Sequence, residues 1–368
     1  MKIDSNSCAY FIYASVLQPF WARISNEVIC RLKLTIGDLI VRLGNNLAAL
    51  GKRSGSRAAA SPDPRQGPAG AVIRKFVSVL LLLTLTPLVV ASTEWQPLYS
   101  RVDPSLQLAM EKRLKENPEW ARLIRSKKMA IGLVDLSGKQ PRFARVNGNQ
   151  MMYAASLPKI AILLGAYVSF EDGSLAETEA VHTDLADMIR VSSNSAATRL
   201  IDQVGMKKIQ TVLKDPQFGF YDEERGGGLW VGKRYASDGP RIGDPLFNIS
   251  HGATVTQVCR FFYLLAKGQL ISADRSAQML DDLADPHLHH KFVSQIDERA
   301  PDAQMFRKSG TWKQWHADAI MVRGSEWRDY ILVGLVESQN GEKVLRQVLP
   351  AIEELIVPAE YAGDAGQL

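Results

Sequence analysis

Ser156 and Lys159 stand three positions apart in "YAASLPKIAILLGAY" (residues 153–167), and together they are residue types that can open a carbonyl bond. A serine hydroxyl is a weak nucleophile until a base accepts its proton. Lysine can be that base where burial or neighbouring cations lower its pKa. The apolar run predicts a helix, and residues three apart on a helix share a face. The same two residues also suit a plainer role, with Ser156 capping a buried helix, Pro158 in its first turn and Lys159 in solvent. The pair alone leaves both readings open.

Two further stretches bear on the choice. "RVSSNSAATRL" supplies Ser192, Ser193 and Asn194 in a polar break between helical patterns, and "FRKSGTW" supplies Lys308, Ser309, Gly310 and Thr311 on a predicted strand. Singly, Ser192 and Asn194 read as helix caps and Lys308 as a solvated edge-strand charge. In chain order, however, Ser-x-x-Lys, Ser-x-Asn and Lys-Ser/Thr-Gly resemble the three signatures of penicillin-binding proteins and class A β-lactamases. The resemblance spans residues 92–368.

That resemblance implies a role for each residue. Ser156 is expected to attack an amide or lactam carbonyl and Lys159 to take its proton. Ser192 would relay a proton to the leaving nitrogen, and Asn194 would bond the substrate's amide side chain. Lys308 would bring positive charge near Ser192 and attract a substrate carboxylate with the Ser309 hydroxyl. The main-chain N–H groups of Ser156 and Thr311 would form an oxyanion hole. Gly310 is expected because a side chain there would crowd substrate lying along the strand. Ser193 stands where the family usually has Asp, at a position expected to be structural.

The resemblance also breaks at one place. The Glu-x-x-Leu-Asn string that carries the deacylation base of class A β-lactamases is absent. Glu223, Glu224, Asp238 and Asp244 lie in the corresponding region, and none can be assigned as that base. The 36 positions from Ser156 to Ser192 are also fewer than in those enzymes, which implies a more open cleft.

These residues need a scaffold. Residues 104–127 carry apolar positions at helical spacing, and "MAIGLVDLSG" and "RFARV" read as two strands. Helical patterns follow. "FRKSGTW", "HADAIMVR" and "DYILVGLVES" predict three more strands, and "EKVLRQVLPAIEELIV" a final helix kinked or broken at Pro350. This order predicts an α+β fold: an antiparallel sheet from both chain ends, flanked by helices, with an inserted all-helical lobe. Residues 214–250, with seven Gly and three Pro, fit no element, and long loops of this kind are usually functional or disordered.

Charge separates the N-terminal region from the rest. Residues 1–91 hold 11 Lys and Arg against four Asp and Glu, and residues 92–368 hold 33 against 35. A nucleic-acid binder carries its basic patch on the folded domain, so that class is set aside. Arg74-Lys75, the apolar run 76–91 and the small residues ending at Ala91 read as an export signal over residues 72–91. Its 16 residues fall short of the roughly 20 of a membrane span, and the membrane enters only if this segment stays uncleaved. Residues 1–71 read as an extension or as the product of a start placed too early. Cys259 alone follows the signal, so no disulfide forms within residues 92–368, and it reads as a core residue.

Two other chemistries were weighed. His316 and Asp318 alternate along a strand and share a face, but a Ser-His-Asp triad needs the acid beyond the His, and no Gly-x-Ser-x-Gly elbow occurs. His289 and His290 lack companions at zinc-site spacing. The expectation is an exported, periplasmic or secreted serine hydrolase, acylated on Ser156 by a β-lactam or a peptidoglycan-derived peptide, using no metal and no cofactor. A D,D-peptidase, a small-substrate esterase and a non-catalytic cell-wall-binding module are the other readings.

Overall fold

The computed structural model describes residues 97–361 except residue 326. The extension and export signal expected over residues 1–91 lie outside the described residues. The first helical pattern divides in two, α1 (Pro104–Lys115) and α2 (Pro118–Arg125). Asp103 and Asn117 each accept main-chain N–H bonds at a helix start, and each precedes a proline at the first helical position. Strands β1 (Met129–Asp135), β2 (Arg142–Val146) and β3 (Met152–Tyr153) follow.

The helical lobe comprises α3 (Lys159–Glu171), α4 (Glu179–Arg190), α5 (Asn194–Val204) and α6 (Met206–Lys214). The glycine-rich stretch contributes only short strands, β4 (Tyr221–Asp222), β5 (Gly227–Gly228), β6 (Trp230–Val231) and β7 (His251–Ala253). Then come α7 (Val255–Ala266), α8 (Ala273–Leu283) and α9 (Phe292–Arg299). Strands β8 (Gln304–Trp312), β9 (Trp315–Ser325) and β10 (Arg328–Glu337) and helix α10 (Gly341–Glu353) end the fold. Helix α10 runs through Pro350 to Glu353, so the proline does not break it.

The main sheet is antiparallel in the order β2-β1-β10-β9-β8, built from both chain ends as expected. One face packs against α7 and the helical lobe through Val134, Ala319, Ile331 and Val333. The other is covered by α1, α2, α9 and α10 through Leu133, Ile320, Leu332 and Val336. Every residue of β1 is buried, which accounts for its unbroken apolar run. Cys259 is buried on α7, where Gly132 of β1 leaves room for its sulfur. Strand β8 is left at an edge, and the candidate site lies along it.

Candidate active site

The chain enters the site through a turn. Ala155 has φ +51°, a left-handed conformation rare for a residue with a side chain, and such strain clusters at functional positions. Ser156 follows it, and α3 begins at Lys159 with no side chain capping its start. Ser156 Oγ therefore caps nothing, and it has no hydrogen-bond partner among the described residues. Lys159 is fully buried, not solvated, because the first turn of α3 points it beneath the loop that joins α4 to α5.

That loop carries Ser192 at φ +60°. Lys159 Nζ donates to Ser192 O (2.6 Å) and Asn194 Oδ1 (2.9 Å), with Ser192 Oγ at 3.4 Å. Lys308 Nζ donates to the same Ser192 Oγ at 2.8 Å and to Ser309 O at 2.9 Å. One serine hydroxyl thus lies between two lysine amines. Ser193, not Ser192 or Asn194, caps α5, through Ala196 N at 3.2 Å, the structural role expected at that position. Burial lowers the Lys159 pKa to about 7. Burial, with the charge of Lys159 second, pushes Lys308 well below the ordinary lysine range. Two amines sharing one desolvated site cannot both hold a proton cheaply, so the pair is equipped to take one up.

Strand β8 meets the Ser156 turn at Gly310. A Cβ there would collide with Ala154 O and lie 2.7 Å from Ser156 N and 2.8 Å from Leu157 N. The glycine is thus required by the chain's own turn, where the sequence pointed to substrate crowding. The β8–β9 turn leaves only Lys313 and Gln314 between Trp312 and its partner Trp315. Ladder bonds then alternate inward from Trp312, so the Thr311 amide points off the sheet edge. From the opposite face the buried Lys291 donates to Gly310 O (2.8 Å), Thr311 Oγ1 (2.8 Å) and Ala317 O (3.1 Å). The Ser309 hydroxyl is buried and faces His290 Nε2 at 3.4 Å.

These residues border a cleft of about 610 Å³ lined by Tyr153, Ser156, Asn194, Tyr235, His251 and Thr311, with Lys233, Arg234 and Arg241 at its margin. Among the described residues no carboxylate lines it. Asp244 accepts from Leu246 N, Phe247 N, Ile249 N and the Tyr221 hydroxyl and so shapes its own loop. Asp238 is exposed and paired with Arg234 at 3.1 Å, and Glu223 pairs with Lys214 at 3.2 Å. Sequence reasoning missed Tyr235, His251 and Lys291. Only the anomalous length of the 214–250 stretch pointed towards Tyr235, and nothing pointed to His251 or Lys291.

The other candidates are accounted for elsewhere. Asp318 forms a buried ion pair with Arg307 at 2.7 Å and accepts from Phe292 N. Among the described residues neither ring nitrogen of His316 has a partner, so the two do not form a triad. His289 pairs with Asp297 at 2.7 Å. Among the described residues no group of three or more His, Cys, Asp or Glu is placed to hold a metal ion.

Comparison with known proteins agrees with this fold. Residues 180–356 match the model of the β-lactamase enzyme family. The chain resembles a β-lactamase from Sphaerobacter thermophilus at 18% identity and TM-score 0.52, over 65% of this chain and 97% of that one. It resembles PBP-A at 16% and 0.51, over 69% and 96%, and the TLA-3 extended-spectrum β-lactamase at 12% and 0.51, over 69% and 99%. No curated protein sequence matches the chain. The fold is that of β-lactamases and penicillin-binding proteins.

Proposed function

We propose that the protein is an exported serine acyl-transferring hydrolase that forms an acyl-enzyme on Ser156 with a β-lactam or a cell-wall peptide. The observation that carries this is the meeting of the three motifs at one hydroxyl, with Lys159 and Lys308 both on Ser192 Oγ. Ser156 Oγ adds to the carbonyl carbon and its proton passes to the Lys159 amine. The negative oxygen lies against the amides of Ser156 and Thr311, one such donor stabilising the transition state by ~3 kcal/mol. The carbon–nitrogen bond then breaks, and the leaving nitrogen takes a proton from Ser192, which is resupplied from the lysines.

The lining without a carboxylate favours slow deacylation, the behaviour of a penicillin-binding protein. In keeping with this, a mutant of PBP-A (16% identity, TM-score 0.50, 68% of this chain and 95% of that one) is described as an acyl-enzyme complex with penicillin G. Export is proposed from residues 72–91. Intact-mass spectrometry of the chain with penicillin G, beside Ser156→Ala, tests the reading. The expected result is an adduct of one penicillin on the wild type and none on the variant. Equal adduct or equal drug loss with both would defeat it.

A further inference from the structure

The cleft holds an aromatic residue where an acyl-enzyme would need water. Tyr235 places its ring 4.6 Å from Lys159 Nζ, and its hydroxyl donates to Ala155 O at 3.1 Å. It thus spans from the candidate base to the residue before the nucleophile. The hydrogen-bond acceptors of Lys159 all come from residues 192–194, and the phenol ring covers the amine from the 232–250 loop.

The ring is held in place from several directions. It lies tilted at 45° against His251, centroids 4.4 Å apart, and Tyr153 meets the same imidazole edge-on at 6.1 Å. A carbonyl only accepts, so His251 Nε2 carries the hydrogen that bonds Lys233 O at 3.1 Å, which fixes the imidazole. Arg234, next to Tyr235, is clamped by Asp202 at 2.6 Å and Asp238 at 3.1 Å. Gly232 approaches Ile242 O so closely that no side chain would fit. A loop built this tightly keeps the ring where it stands.

We infer that Tyr235 is a positioning residue that shields the Ser156 ester and the Lys159 amine from water and so prolongs the acyl-enzyme. The inference rests on the proposed acylation of Ser156. Hydrolysis needs a water within reach of both the ester carbon and a base, and Lys159 is the base at hand because no carboxylate lines the cleft. An aromatic face neither accepts a water proton well nor leaves room for the molecule. With the ring removed, water can add to the ester carbon and give its proton to the Lys159 amine. The carbon–Oγ bond then breaks, and Ser156 Oγ recovers the proton from the lysine, releasing the free acid.

The test follows the penicillin G adduct by intact mass after excess drug is removed, in the full chain and in Tyr235→Phe and Tyr235→Ala. The expected result is a persistent adduct on the wild type, a half-life at least tenfold shorter in Tyr235→Ala with hydrolysed penicillin released, and an intermediate half-life in Tyr235→Phe, which keeps the ring but loses its tie to Ala155. Equal half-lives in wild type and Tyr235→Ala would overturn the inference while leaving acylation of Ser156 standing. So would a Tyr235→Ala chain that no longer acylates, since the ring would then serve the fold. Rapid drug turnover by the wild type without an adduct would also overturn it. A wild type that neither binds covalently nor consumes the drug would defeat the functional reading itself, and the inference with it.

Discussion

On the proposed mechanism Lys159 would set the pH dependence of acylation. Its amine is lowered to about 7 by burial, and only the neutral form can accept the Ser156 proton. Below that value the amine is protonated and each pH unit removes about tenfold of the reactive form; above it the amine is neutral and the gain stops. The acylation rate with penicillin G is therefore expected to climb between pH 5 and pH 7 and to level near pH 8. Lys159→Arg, whose guanidinium cannot be deprotonated, is expected to lose acylation at every pH. A flat profile from pH 5 to 9 would assign the proton to another group. Neither buried lysine was legible in the sequence, because lysine is ordinarily solvated and its burial here depends on residues 33 and 116 positions away.

Among the elements, β8 carries the most consequence, because as an edge strand it offers the Thr311 amide outward while Gly310 presses on the Ser156 turn. Gly310→Ala would push the strand away from the turn, since the added carbon meets Ala154 O and the amides of Ser156 and Leu157. Separating the two amides that the proposed mechanism assigns to the oxyanion is expected to slow acylation by about 10²–10³-fold, with the thermal transition little changed because the sheet's ladder stays intact. Unaltered acylation would mean that the turn yields and the amides do not act together. The elements themselves were largely legible. Strands buried on both faces show unbroken apolar runs, as in "MAIGLVD" and "DYILVGLV". The misreadings were local, at Pro118, where Asn117 restarts the helix, and at Pro350, which α10 accommodates. The position of Tyr235 was not legible, because the loop that carries it is shaped by main-chain bonds to Asp244 and by close approach at Gly232, which leave no periodicity.

At the scale of the whole molecule, the sheet is assembled from both ends of the chain, so the last helix must be fastened to strands laid down by the rest. Glu353, at the end of α10 and buried, makes that attachment. It accepts from Arg328 Nε (2.7 Å) and the Tyr330 hydroxyl (2.9 Å) on β10, and from Arg299 Nε (3.0 Å) on α9. Two guanidinium groups thus share one carboxylate away from water, and Arg328 also lies over the Trp327 ring at 4.6 Å. Glu353→Gln keeps the shape of the side chain but sets both cations against a neutral amide. Breaking a buried pair in this way costs about 3 kcal/mol, which lowers Tm by on the order of 5–10 °C for a domain of this size. The cluster lies on the face of the sheet away from α7 and the helical lobe, so the acylation rate at 25 °C is expected to match the wild type. A Glu353→Gln chain with an unchanged Tm would mean that the cations are solvated as the helix end frays. One that lost acylation along with stability would mean that α10 holds β8 and β9 in register, and that the site depends on the chain's two ends being joined.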